Sequence, residues 1–177
     1  GGMITTNNKE LYNKLLQLRD YGRRERPKKW PVKSYMVGYN SKMSTINAAV
    51  LNIRLKKLNE YIDLRNRNAE IYKEILFSKK IKFQHTLHEA KSAWRNFTIR
   101  VKNRNKVFDK LNSINPLVKL SYIPPNHQDK CYKNLKYNYD LKITEKISSE
   151  IINLPCHQYM TPNNIKDLSR NVLRLIK

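Results

Sequence analysis

The chain has 177 residues, 40% of them hydrophobic, which suits one domain of ordinary size or a piece of a larger one. No apolar stretch approaches the roughly 20 residues of a membrane span, and the first residues lack the basic start and apolar run of a signal peptide. Lys+Arg number 36 against 14 Asp+Glu, a formal net charge of +22; this admits a polyanionic partner such as nucleic acid, a membrane surface or a phosphate-rich substrate.

Two features weigh against nucleic acid. The basic residues are spread over the whole length, and Lys, Asn, Ile and Tyr are abundant together, as in products of AT-rich genes. Cys131 and Cys156 have no metal-ligand spacing and no nucleophile context. They read as incidental, reduced thiols of an intracellular, cytoplasmic chain.

The chain begins Gly1-Gly2-Met3-Ile4-Thr5-Thr6. Either the glycines are cloning residue or the chain starts inside a larger fold. Met3–Thr6 reads as a short strand. Asn7 or Asn8 then caps a helix to about Asp20, with Leu11, Leu15 and Leu18 as its inward stripe. Gly22 is a natural stop for it. Between Arg23 and Tyr35, Pro27 and Pro31 forbid a continuous helix. That stretch holds Arg23, Arg24, Arg26, Lys28, Lys29 and Lys33 beside Trp30 and Tyr35. It reads either as a solvated loop or as a basic, aromatic grip on phosphates and bases.

Next comes Met36-Val37-Gly38-Tyr39-Asn40-Ser41-Lys42-Met43-Ser44. Gly38 permits a turn or a close backbone approach. Tyr39 offers a stacking ring, Asn40 an amide and Lys42 a point charge suited to phosphate. Ser44 is placed to cap the next helix. The stretch reads either as a plain turn or as an anion site before a helix N-terminus.

One long helix is expected from Thr45 to about Ser78. Leu51, Leu55, Leu58, Ile62, Ala69, Tyr72 and Leu76 fall on one face, broadened by Ile46, Ala49, Val50 and Ile53 at the more enclosed N-terminal end. At ~1.5 Å per residue it would span ~50 Å, so it must bend or bridge two bodies. Asp63 and Arg67 are spaced for an i,i+4 pair. Shorter elements follow: strands at Ile81–Phe83, Ser92–Val101 and Leu117–Ile123, and helices at Lys106–Asn112, at Thr144–Asn153 with Ile147, Ile151 and Leu154 inward, and from Pro162 onward behind the cap Thr161. The sum is an α/β arrangement, a small antiparallel sheet with helices on one face.

Six segments in order resemble the DegT/DnrJ/EryC1/StrS family of pyridoxal-phosphate-dependent sugar aminotransferases. They are Gly1-Gly2-Met3-Ile4-Thr5-Thr6-Asn7, Leu18-Arg19-Asp20-Tyr21-Gly22, Val37 to Ser44 followed by Ala48-Ala49, Ser92-Ala93-Trp94 with Phe97 to Val101, Pro125-Asn126-His127, and Leu154-Pro155-Cys156-His157 with Met160-Thr161. Tyr21 stands at a family histidine, Lys42 at a family arginine, and Arg95 and Asn96 where the family has His and an apolar residue. The resemblance implies the C-terminal part of a fold-type-I transferase. Residues 1–44 would be a remnant of the cofactor domain with an active-site loop, 45–78 an interdomain helix, and 79–177 a small α/β domain.

It also implies site roles. Asn40, with Lys42, would reach a cofactor phosphate held by a neighbouring subunit, and Tyr39 and His127 would lie toward a nucleotide-sugar substrate. Neither a catalytic residue nor a metal ligand is expected in this stretch. In the family the cofactor lysine lies just upstream of the Gly-Gly segment, and no lysine here resembles it. The chain is therefore expected to be inactive alone and to hold no cofactor covalently. It would act as a homodimer or with a lysine-bearing N-terminal half. An unpaired Met3–Thr6 edge would favour self-association or local disorder near residues 1–35. The alternatives are a non-catalytic nucleotide-sugar-binding or partner-pairing module, and a basic nucleic-acid-binding protein.

Overall fold

A computed structural model describes residues 2–24, 31–132 and 140–176. The expectations for Gly1, Arg26, Pro27, Lys28, Lys29 and Trp30 lie outside the described residues. The chain divides into two compact units, Gly1–Lys57 and Leu58–Lys177.

In the first unit, α1 (Lys9–Arg19) starts where Asn8 accepts a hydrogen bond from the Leu11 N–H at 3.0 Å. Helix α2 (Thr45–Lys56) starts in the same way, with the Ser44 hydroxyl accepting from the Asn47 N–H. Both caps sit where the sequence puts them, but the packing differs from expectation. Met3–Thr6 forms no strand, and Met3 and Ile4 are exposed. Leu11 is exposed and Leu15 and Leu18 are half-buried, so the stripe of α1 covers no core. Ile46, Val50, Leu51, Ile53 and Leu55 of α2 are exposed as well.

The long helix is two helices. Lys57 leaves helical geometry at φ −102°, ψ 5°, and its N–H turns back to the Arg54 carbonyl at 3.1 Å. A three-residue closure of this kind tightens and ends a helix without glycine or proline. Helix α3 (Leu58–Leu76) then begins the second unit.

The second unit carries the core. Strands β1 (Lys82–Phe83), β2 (Asn96–Arg100) and β3 (Ile151–Pro155) form an antiparallel sheet in that order, with Phe97 opposite Leu154 and Ile99 opposite Ile152. Helix α3 packs on α6 (Pro162–Leu175), and α4 (Arg104–Ile114) touches α6 and β3. Tyr72, Leu76, Phe97, Ile99, Leu111, Val118, Ile152, Leu154, Ile165 and Val172 are fully buried. Each large side chain so buried contributes about 1.5–3 kcal/mol. The Tyr72 and Phe97 rings stack at 4.9 Å, and the Tyr72 hydroxyl donates to the Pro155 carbonyl at 3.0 Å.

Two expected elements are corrected. The helix expected over Thr144–Asn153 is α5 (Lys142–Glu150) followed directly by β3. Ile147 faces partly inward, but Ile151 and Leu154 belong to a strand flanked by β2 and, at Asn153, by Lys119. The strand expected over Leu117–Ile123 reduces to that single bridge at Lys119.

A run of polar residues on α3 ties down the loops around the sheet. Arg65 donates to the Gln158 side chain and the Trp94 carbonyl, Asn66 to the Ser92 carbonyl, and Asn68 to the His157 carbonyl. The expected Asp63–Arg67 pair is absent. Asp63 pairs with Lys91, while Arg67 donates to Asn68 and to the Met160 carbonyl.

Candidate functional site

The last carbonyls of α1 would be orphans at a free helix end. Here the segment from Tyr35 to Ser41 takes them up. The Tyr39 N–H donates to the Leu18 carbonyl at 2.7 Å, the Ser41 N–H to Arg19 at 3.0 Å, and the Tyr21 N–H returns to the Tyr39 carbonyl at 3.0 Å. Asp20 and Asn40 thereby form an antiparallel bridge.

Two glycines permit this docking. A Cβ on Gly38 would lie 2.1 Å from the Gly22 nitrogen, and one on Gly22 would lie 1.7 Å from the Met36 oxygen. Gly22 also holds φ +74°, open to glycine at no steric cost. Gly38 therefore serves a close backbone approach to Gly22.

The docking presents three side chains differently. Tyr39 is 67% exposed, so its ring covers no core. Asn40 is exposed, and its amide makes no hydrogen bond to a described residue. Lys42 is committed: its Nζ lies 2.7 Å from the Asp20 carboxylate and 5.5 Å from the centre of the Tyr21 ring. The hydrogen bond from Lys42 holds the Asp20 carboxyl below the usual carboxylate range; desolvation opposes it, and the charges of Lys42, Arg23 and Arg19 add to the lowering. Nothing in the sequence singles out Asp20 or Tyr21 as a partner of Lys42. The Asp20–Lys42 contact spans 22 positions and requires the α1 end to be docked on the loop.

In the second unit, Pro125 starts a short 3-10 turn, Asn126–Gln128. It sets His127 Nε2 and Gln128 Nε2 each 3.1 Å from the same Glu145 oxygen. Hydrogen bonds from His127 and then Gln128 hold the Glu145 carboxyl below its usual range. An ionised carboxylate only accepts, so Nε2 donates to it and Nδ1 is left for another contact. Tyr39, Asn40 and Lys42 thus belong to the first unit and His127 to the second.

Sequence reasoning overlooked one further feature of the second unit. An open cavity of about 260 Å³ is lined by Arg95, Asn96, Tyr122, Gln84, Ser121 and neighbouring residues. The Arg95 guanidinium donates to the Tyr122 hydroxyl at 3.0 Å. Behind it, Asn153 of β3 accepts from the Ser121 N–H at 2.7 Å and donates to the Thr98 hydroxyl of β2 at 2.9 Å, fixing the 119–122 segment against β3. The visible signal was Arg95, a charged residue entering a strand.

Cys156 is buried, and burial pushes its thiol up to about 11, away from nucleophilic use. Cys131 is exposed. Among the described residues no group of His, Cys, Asp and Glu could hold a metal ion, and no helix is long and apolar enough to cross a membrane.

A model of the DegT/DnrJ/EryC1/StrS aminotransferase family matches residues 1–173. The chain belongs to this family. A dTDP-3-amino-3,6-dideoxy-alpha-D-galactopyranose transaminase from Aneurinibacillus thermoaerophilus is 29% identical over 174 residues, which is 98% of this chain and 46% of that protein. The crystal structure of a DegT DnrJ EryC1 StrS aminotransferase from Brucella abortus superposes with a TM-score of 0.86 at 26% identity, over 97% of this chain and 45% of that one. A Bacillus subtilis neighbour, solved with the cofactor PMP bound, shares the fold with a TM-score of 0.80 at 23% identity, over 97% of this chain and 40% of that one. The chain thus spans less than half the length of these relatives. Its fold is that of a part of a pyridoxal-phosphate aminotransferase, with a small antiparallel sheet among helices.

Proposed function

We propose that these residues are the C-terminal portion of a pyridoxal-phosphate-dependent aminotransferase acting on a keto-sugar nucleotide, and that they supply one side of a site shared between subunits. The observation that carries this reading is Asn40, an exposed amide without a described partner, fixed by backbone bonds on both sides of it. Its N–H groups are of the right kind for a phosphate oxygen.

The donor set fits part of a phosphate site rather than a whole one. Asn40 is available, whereas Lys42 is drawn to Asp20 and contributes a point charge without the fork of an arginine. Bound pyridoxal phosphate would supply the electron sink for amino transfer. In this reading the chain's residues bind and orient. Asn40 holds the phosphate, Lys42 adds positive potential beside it and Tyr39 offers its ring to the substrate; in the second unit, His127 offers Nδ1 as an acceptor to a sugar hydroxyl. The lysine that carries the cofactor would come from outside these residues, in the same chain or in a partner.

The apolar exposure of the first unit supports such pairing, whether as a homodimer or with a lysine-bearing half. Ile46, Leu51, Ile53 and Leu55 lie uncovered on α2, as expected of a surface that another protein body covers. The test is cofactor retention when the chain is combined with a lysine-bearing half of a family member. The pair should keep pyridoxal phosphate through gel filtration, and Asn40→Ala should weaken that retention. Retention unaffected by Asn40→Ala would refute the assignment.

A further inference from the structure

The cavity beside β2 has a composition that points to a ligand. Arg95 pairs with no carboxylate among the described residues, and its only hydrogen bond there goes to the Tyr122 hydroxyl. Because that hydroxyl accepts from arginine, its own proton is available to donate outward. The side-chain amides of Gln84 and Asn96 line the same space and make no hydrogen bond to a described residue. No aspartate or glutamate among the described residues lines it.

The walls are fixed. Trp94 holds its backbone at φ +38° while its indole N–H donates to Asn66 at 3.1 Å. Asn153 holds the other wall through Ser121. A cation, a hydroxyl and two amides with unspent donors, set on anchored backbone with no competing carboxylate, are the donor set for an oxyanion.

We propose that this cavity is an oxyanion-binding pocket, with Arg95 as its charge and Tyr122, Gln84 and Asn96 as its neutral donors. At about 260 Å³ it is smaller than the ~300–1,000 Å³ of pockets that enclose a whole drug-sized ligand. It therefore takes a carboxylate or phosphate group, with at most the ring that bears it, and leaves the rest of the ligand outside. The pocket lies wholly in the second unit and does not depend on the cofactor assignment. Within the proposed function it would make Arg95 a specificity residue, favouring substrates that bring an anionic group to this wall.

The test is a titration of the chain carrying Trp30→Phe, which leaves Trp94 as the sole indole. The probes are glucuronate, inorganic phosphate and, as neutral control, glucose, all at constant ionic strength. Trp94 fluorescence should change saturably with glucuronate or phosphate and not with glucose; the tighter of the two names a carboxylate or a phosphate as the natural group. Arg95→Ala should weaken binding by about tenfold or more, and Arg95→Lys by less, because charge stays while the fork is lost. Tyr122→Phe should cost a few-fold, with circular dichroism unchanged in all three. Equal binding by Arg95→Ala, equal binding of glucose, or no saturable response to either anion would overturn the proposal. Any of these outcomes alongside Asn40-dependent cofactor retention would leave the proposed function standing.

Discussion

In residues 58–177 a buried cluster runs from Ala69 on α3 to Val172 on α6, whereas in residues 1–57 the one buried residue among those described is Gly22. Both units have capped helices with leucines and isoleucines at helical spacing. The difference is what those side chains meet. In the second unit Tyr72, Phe97 and Leu154 meet one another and exclude water. In the first, order comes from backbone bonds between the α1 end and the 35–41 segment, and the apolar faces remain uncovered. A stretch that buries so little apolar surface cannot offset the entropy of its own folding. The proposed function gives it that cover in a larger assembly, to which it would bring a surface and Asn40.

The largest effect expected from this contrast is on folding itself. Expressed alone, residues 58–177 should unfold in one cooperative transition, and residues 1–57 alone should show none by circular dichroism. A cooperative transition in the 1–57 peptide would break the comparison. Next, Phe97→Ala, which removes a ring packed against Tyr72, Phe83 and Trp94, should cost about 3–5 kcal/mol in denaturant unfolding. Ile53→Ala, at a side chain 66% exposed on α2, should stay within about 0.5 kcal/mol. Similar losses for the two would mean that the first unit has a core after all. Asn153→Ala strips partners from Ser121 and Thr98 and should cost about 1–3 kcal/mol; no change would remove Asn153 as the anchor of the 119–122 segment.

A smaller effect separates the units by pH. Arg100 lies 2.6 Å from Glu150 at the junction of α5 and β3, and its hydrogen bond lowers the Glu150 pKa from 4.5. The unfolded chain therefore binds this proton more readily than the folded one. The stabilisation is full above the unfolded pKa and is lost as pH falls below about 4.5 through the folded value. Glu150→Gln should make the acid limb of the second unit's stability curve shallower. Superimposable acid limbs for the two proteins would show that the pair contributes nothing.

Local features were legible in the sequence. Asn8, Ser44 and Thr161 cap helices where their side chains and spacing say they should. The alternation of Phe97 and Ile99 gives β2, and the six family segments in order give the fold. Features set by contacts distant in sequence were not legible. Ile151-Ile152-Asn153-Leu154 follows a helix without a turn signal, and a short apolar run fits a helix tail as well as a buried strand. Only pairing with β2 decides it. Lys42 reads as a free cation until the α1 end brings Asp20 beside it. The break at Lys57 has no glycine or proline to announce it. Among the residues proposed for the two sites, Asn40 stood out through its motif, but Tyr122 and its neighbour Asn153 did not, since neither sits in a segment whose chemistry shows before folding.

The most direct test of a site shared between subunits is the visible absorbance of pyridoxal phosphate that survives gel filtration, measured for the chain alone, for its combination with a lysine-bearing half, and for that combination with Asn40→Ala. The expected result is no retained cofactor in the first, retained cofactor in the second, and a marked loss in the third. Retention and amino-transfer turnover by these residues alone would contradict it.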